Sequence, residues 1–358
     1  MVVTLTRDEA RRIAVRAQLL DAERPGDVVE VADQLGAIKI DPTATIAPAE
    51  HTILWSRIGR GYEPAQLSKA VERDRLLFEF EGAFRPIRLL PLLLPGMREA
   101  PRHERTRAWL DANAAFRVDI LSRLRAEGPL LASAIPDTAS VARPDDSWYG
   151  PNQTPRMLEL LARRGEIAIV GREGRHRRWD LAERVYPQDL PEYSREEAEL
   201  LLQQSRLRAL GIAKQNGSWI PVGTAGEAAT VEGSKWKWRV DPDALSALND
   251  DPGGRAAFLS PYDGMLFHRQ AIQELFDFEF KLEQFKPKPQ RIYGYFAHPI
   301  LLDDRFVGML DAQVDREENT LKVTAVHELV PFDPEEADII RFELEDLASW
   351  LGVRLDAW

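Results

Sequence analysis

Cysteine is absent from the 358-residue chain, which excludes disulfides, iron–sulfur clusters and Cys-ligated zinc. The six histidines, at positions 51, 103, 176, 268, 298 and 327, are nowhere paired at the spacing by which a helix presents two ligands, so no metal site is expected. Long hydrophobic runs are also missing. The most apolar stretch, residues 89–97, is broken by Pro91 and Pro95 and is too short to span a bilayer. At the N-terminus Arg7, Asp8 and Glu9 arrive too early for a secretory hydrophobic segment. The expectation is a cytoplasmic protein with no membrane partner. Positive charge is in short supply overall: the formal net charge is −11, which weighs against nucleic acid as a partner for the chain taken as a whole.

What is present is a foldable mixture, 44% hydrophobic and 29% charged, in a chain too long for one ordinary domain. The charge is uneven. Between Arg85 and Arg125 nine arginines face only Glu99, Glu104, Asp111 and Asp119, while acidic residues gather near the C-terminus in 333–346. A basic face on an acidic protein can still hold phosphates, because local sign matters more than the total.

The elements come in short packets. Thr6 and Glu9 make a capping-box pattern ahead of Ala10, Ile13, Ala14 and Ala17 at helical spacing. A second short helix runs through Val31 and Leu35, and an alternating stretch, 37–41, is stopped by Pro42. It sets Ile38 and Ile40 on one side and Lys39 and Asp41 on the other. One helix is predicted over 103–125 and another over 154–164, followed by strands at 167–170 and 179–181. The turn between those strands, 171–178, carries Arg172, Arg175, Arg177 and Arg178. Helix, helix, basic hairpin is the order of a winged helix. The order repeats more faintly: Ser194 and Glu197 suggest a capping box, and strands are predicted around 219–222 and 236–240. After a linker at 250–254 the chain turns strand-like, with turns at Asp303-Asp304 and 317–319, and ends in a helix N-capped by Asp333 with Pro334 at its first position. The predicted class is α+β. The predicted domains are 1–125 (an N-terminal helical module carrying Lys39-Ile40-Asp41), 126–190 and 191–252 (two further winged helices), and 253–358 (a β-rich C-terminal domain with a final helix).

Two long blocks carry a resemblance. The first runs from Lys39-Ile40-Asp41 to Glu50-His51-Thr52-Ile53-Leu54-Trp55-Ser56-Arg57. The second is Ser260-Pro261-Tyr262-Asp263-Gly264-Met265-Leu266-Phe267-His268-Arg269, continuing through 275–280 to Tyr293-Gly294-Tyr295-Phe296. A weaker third match joins Trp148-Tyr149-Gly150 to 165–167 and 180–185. In these blocks the chain resembles the AlkZ/YcaQ-like winged-helix DNA glycosylases. The resemblance implies tandem winged-helix modules, a C-terminal β-barrel-like domain and a terminal helix. It also implies excision of alkylated purines, in some members crosslinked ones, from double-stranded DNA, with no cofactor. A monomer is expected. Lys39 stands where the family pattern has Gln, Glu50 where it has the first of two His residues, and Phe80-Glu81-Gly82-Ala83 lacks the Trp-Ala-His that follows Leu-Phe-Glu in the family.

Cleaving an N-glycosidic bond builds positive charge on the sugar, and a nearby carboxylate can stabilise it and orient water. The resemblance assigns that role to Asp41; its local alternative is a turn residue ahead of Pro42. Lys39, two positions away on a strand, lies about 6–7 Å from Asp41, where a unit charge acts with about 2–3 kcal/mol at an effective dielectric of about 20. Three roles are open to it: an ion pair with Asp41, a DNA phosphate contact, or, as a neutral amine, attack on the sugar to form a Schiff base. Monofunctional hydrolysis is preferred to that lyase route. His51 is a candidate for contacting a phosphate or a lesion, and equally a structural residue. Arg57 is a cap or a phosphate contact, and Arg172, Arg175, Arg177 and Arg178 are the best phosphate-binding set. Tyr262, Asp263, Arg269 and 293–295 are expected to be structural. The competing readings are a winged-helix DNA-binding protein without catalysis, favoured by Lys39, and a protein-interaction scaffold.

Overall fold

A computed structural model describes residues 2–142, 152–217, 221–250 and 253–356. The chain is mixed α+β and divides into two compact units, neither of them a continuous stretch. The first comprises residues 1–67, 82–84 and 200–358, and the second 68–81 and 85–199. Of the four predicted segments, 126–190 lies within the second unit and 253–358 within the first; the other two are divided between the units.

The first unit is built on two sheets. In one, the Val3–Leu5 strand lies parallel to Glu227–Val231, which pairs antiparallel with Trp238–Val240, itself paired with Ile212–Lys214. Here the expected strand pair at 219–222 and 236–240 is corrected. The partner of Trp238–Val240 is Glu227–Val231, Pro221 and Val222 are not in a strand, and Trp219 and Ile220 lie outside the described residues. The second sheet has five strands: Ala256–Phe258, His298–Leu302, Arg305–Asp315, Thr320–Glu328 and Arg354–Leu355. All neighbours are antiparallel except the last pair, which is parallel because the Pro334–Leu351 helix carries the chain back to the same end. That helix starts as its sequence requires: the Asp333 carboxylate accepts the Glu336 amide and Glu336 reciprocates. It buries Ile340, Leu344 and Leu347, the spacing of one apolar stripe.

The core of this unit joins Ile13 and Ala14 of the Arg7–Ala17 helix to Trp238 and to Phe276, Phe278 and Phe306. Phe278 and Phe306 stack with centroids 4.2 Å apart, a geometry worth up to about 1.5 kcal/mol beyond area burial. The Thr6–Glu9 capping box closes as its sequence requires.

The second unit has its own core of Trp109, Phe116, Ile120, Leu124, Met157, Leu158, Leu161 and Trp179. The helix expected over 103–125 is two helices, Glu104–Ala112 and Ala114–Glu127. Asn113 breaks it. Its side-chain amide donates to the Trp109 and Val141 carbonyls and its Oδ1 accepts the Val141 amide, so a fully buried Asn anchors a loop instead of continuing the helix. Thr154–Arg163 follows as a helix, then the hairpin Ile167–Glu173/His176–Leu181, with Leu130–Leu131 along its outer edge. The hairpin turn is shorter than expected. The strands reach Glu173 and His176, so only Gly174 and Arg175 remain as turn, and Arg172, Arg177 and Arg178 are strand residues. The Ser194–Glu197 capping box forms.

Candidate active site

Asp41 sits just past the short Ile38–Lys39 strand, which pairs with Phe84 and Ala83. The strand ends here because Pro42 follows, and the chain turns at once into the Ala49–Ile58 helix. Three bonds fix Asp41. Its Oδ1 accepts the Thr43 amide at 2.9 Å, an Asx turn. Its own amide donates to Glu50 Oε2 at 3.2 Å, and its carbonyl accepts the Ala49 amide at 3.1 Å. The side chain is half-buried, and among the described residues Oδ2 takes no hydrogen bond. One carboxylate oxygen is thus spent on holding the turn and the other is free to act.

Lys39 does not meet Asp41. Its Nζ donates to the carbonyl of Gly82 at 3.2 Å, and the same carbonyl accepts the Ile40 amide at 2.9 Å. The ion pair considered from the sequence is therefore replaced by a lysine–carbonyl contact. Gly82 has φ +68°, and a Cβ there would lie 3.0 Å from the lysine Nζ. The left-handed turn that aims this carbonyl is one that favours glycine.

Glu50, at the first turn of the following helix, does more than hold the Asp41 amide. Its charge adds to burial in raising the pKa of the Tyr62 hydroxyl. That hydroxyl lies 2.6 Å from His51 Nδ1. Burial lowers the His51 pKa, so the ring is neutral at neutral pH. In the tautomer where the Tyr62 O–H donates to Nδ1, the ring proton is on Nε2. Tyr62 is itself locked, its ring against Trp350 at 6.0 Å and its carbonyl accepting the Trp350 indole N–H.

Tyr262 approaches from the far end of the sequence. Burial first, and then the negative charge of Asp41, raise its pKa, against a hydrogen bond from Gln284 at 2.6 Å that lowers it. Sequence reasoning treated Tyr262 as structural. Nothing in a 221-residue separation signals its proximity to Asp41, and only the fold brings the two together.

Arg57 requires a correction. It is completely buried and ion-pairs with Asp263, which is buried to the same degree. Its Nη2 reaches Asp263 Oδ1 at 3.1 Å and its Nε the Gln18 carbonyl at 3.1 Å. With no exposed donor, it meets no phosphate; it ties the Ala49–Ile58 helix to the segment that begins at Ser260 instead of binding a ligand.

Within the second unit the hairpin arginines divide. Arg172 and Arg177 are directly opposed across the hairpin, an arrangement that repels unless a counter-charge intervenes. Glu79 supplies it: a carboxylate 1% exposed accepts Arg172 Nη2 at 2.7 Å and Arg177 Nε at 2.7 Å. Arg177 also approaches Glu159 at 3.5 Å. Arg175 and Arg178 face solvent. The Glu79 contribution was not foreseen, because its partners lie some ninety residues away.

No group of three or more His, Cys, Asp or Glu side chains among the described residues could hold a metal ion, and no described helix is long and apolar enough to cross a membrane. Comparison with known families matches residues 32–350 to the family described as DNA glycosylase AlkZ-like. Among solved structures the chain is similar to the Streptomyces sahachiroi DNA glycosylase AlkZ, with a TM-score of 0.57 and 15% identity over 99% of this chain and 100% of that one. At that identity the likeness is one of fold.

Proposed function

The chain belongs to the AlkZ-like DNA glycosylase family, and on that premise we propose that it hydrolyses the N-glycosidic bond of alkylated purines, bulky or crosslinked ones included, in duplex DNA. The observation that carries the proposal is the position of Asp41: pinned by its backbone and Oδ1, half-buried, with Oδ2 unspent. As the purine leaves, positive charge grows on the sugar ring. The Asp41 carboxylate stabilises it electrostatically and orients the attacking water. A pre-held carboxylate performs this without reorganising during the reaction. The neutral His51, in the tautomer with its proton on Nε2, offers a hydrogen-bond donor to a phosphate or to the departing base.

Lys39 supports hydrolysis over lyase chemistry. A nucleophilic amine must be free to attack, and this one is engaged with the Gly82 carbonyl. The exposed Arg175 and Arg178, at the tip and on the returning strand of the hairpin, are the proposed phosphate contacts, with Arg172 and Arg177 shaping that hairpin from beneath. The tandem winged-helix arrangement and the barrel-like character of the five-stranded sheet belong to the same proposal. They are supported by the helix–helix–hairpin order in the second unit and by the fold likeness to AlkZ. So do a monomeric state and a cytoplasmic location.

The test incubates the protein with alkylated duplex DNA and measures free base, with Asp41→Ala alongside. Release by the wild type and its loss, about a hundred- to a thousandfold for an electrostatic stabiliser, are expected. Salt-sensitive binding without release by the wild type would instead establish the non-catalytic DNA-binding reading. Borohydride trapping is expected to give no Lys39-dependent adduct.

A further inference from the structure

The two most exposed large hydrophobic side chains among the described residues, Phe285 at 85% and Ile292 at 67%, lie on one loop of the first unit, with Tyr295, 44% exposed, at its end. Single exposed apolar residues are ordinary on a protein surface, but three gathered on one short loop make a patch of the kind that marks an interaction site. The loop is not slack. Glu283, itself 5% exposed, accepts the amides of Ile292 and Tyr293 at 2.7 and 2.9 Å and pairs with Lys286 at 2.7 Å. Burial works against its charge, but Lys286 and the two amides outweigh it, and its pKa is lowered. Arg291 donates to the Lys286 carbonyl at 2.9 Å and lies over the Tyr295 ring at 4.9 Å. A buried carboxylate and an arginine therefore clasp both legs of the loop, and Phe285 stands out from the turn that the Lys286 amide closes on the Glu283 carbonyl.

Its position is the second observation. The residue before it, Gln284, donates to the Tyr262 hydroxyl, and that hydroxyl feels the charge of Asp41. Phe285 thus follows directly in the chain the residue whose side chain bonds to Tyr262, the tyrosine whose hydroxyl senses the Asp41 charge. The third observation is charge. Lys286, Lys288 and Arg291 lie on the same loop as Phe285, a cationic composition that suits phosphates.

Taken with the glycosylase reading, on which this inference rests, the geometry points to Phe285 as a wedge that enters the base stack of duplex DNA beside the nucleotide under attack. A target base that carries an adduct on one strand only cannot reach a carboxylate on the protein surface until it is unstacked. Apolar side chains pushed between base steps do this, occupying the gap that the base leaves. Ile292 and Tyr295 add apolar surface to the same loop, and Lys288 offers a contact to the flanking backbone.

The test uses the full chain and a duplex carrying 2-aminopurine beside 7-methylguanine. Asp41→Asn is the background for binding, so that no base is lost during the measurement. In that background the Phe285-bearing protein raises 2-aminopurine fluorescence on binding; adding Phe285→Ala abolishes the rise and Phe285→Trp restores it. In otherwise wild-type protein Phe285→Ala slows release of 7-methylguanine from duplex by about 5- to 150-fold, while release from single-stranded alkylated DNA changes less than twofold. An exposed ring contributes little to folding, so unchanged thermal unfolding of Phe285→Ala is expected as well. Wild-type fluorescence and duplex rates in Phe285→Ala overturn the wedge and leave the glycosylase reading standing. A Phe285-dependent fluorescence rise without base release by the wild type supports the wedge and overturns the glycosylase reading. Absence of any binding by the wild type overturns both.

Discussion

Replacing Asp263 with asparagine keeps its shape and removes its charge, leaving the Arg57 guanidinium at 0% exposure with no counter-ion. Breaking a buried pair in this way costs about 3–5 kcal/mol, because the remaining charge can neither reach water nor find another partner. Arg57 keeps only the Gln18 carbonyl and Ser56 Oγ, and neutral acceptors do not offset an unpaired cation. Arg57→Met alone costs a comparable amount, since it strands the carboxylate; the Met265 amide, 3.0 Å from Asp263 Oδ1, satisfies only part of it. The double variant removes both charges and should cost less than the sum by about 2–3 kcal/mol. Urea unfolding followed by tryptophan emission suits the measurement, because the stacked pair Trp55 and Trp350 lies in the same unit, 5.8 Å between centroids. Single-variant costs that add to within about 0.5 kcal/mol, or an Asp263→Asn cost below about 1 kcal/mol, would refute the reasoning. The salt dependence of DNA binding by these variants should equal that of wild type, since no phosphate contact is removed.

Three further outcomes follow from other parts of the molecule. Burial lowers the pKa values of His268 and His298 to about 4. Their neutral forms are favoured by the fold, so stability is complete above about pH 6.5 and falls towards pH 4, by up to about 3 kcal/mol for each; thermal melts between pH 7 and 4.5 should show the decline, and a shallower one for His268→Phe. Arg175→Gln with Arg178→Gln should flatten the slope of log affinity against log salt by up to about 1.8, at about 0.9 for each lost phosphate contact; a wild-type slope excludes them from the interface. Gly82→Ala meets both a left-handed φ of +68° and the Lys39 amine at 3.0 Å, so it should cost about 1–2 kcal/mol and displace Lys39, visible as lower thermal stability together with an altered rate of base release.

Local rules carried far along this sequence. The reciprocal caps at Thr6–Glu9, Ser194–Glu197 and Asp333–Glu336 formed because each depends on residues three apart. The strand-like C-terminal third and its returning helix were legible from alternation and a single apolar stripe. Family resemblance was legible in the two blocks that the family match also spans. What failed to show was set by partners distant in the chain. Asn113 looks like any helix residue until Val141 arrives to occupy its amide. Arg57 is indistinguishable from a surface arginine until Asp263 is placed against it. Lys39 points to a carbonyl 43 residues away rather than to its neighbour Asp41, because the strand pairing puts Gly82 within reach. The hairpin arginines appeared uniformly available because Glu79, the buried acid between two of them, belongs to a different stretch of chain.

The parallel pairing of Val3–Leu5 with Glu227–Val231 has a price in time. The opening strand has no sheet to join until some 220 residues more have been made, on the order of 10–45 seconds at ordinary synthesis speeds. During that interval its amides and the apolar face of the Arg7–Ala17 helix stand open, and all of the second unit, whose residues lie between 68 and 199, is made before the partner strand is. A chaperone that shields this strand and the helix after it therefore has more to protect here than in a chain whose neighbours in space are neighbours in sequence.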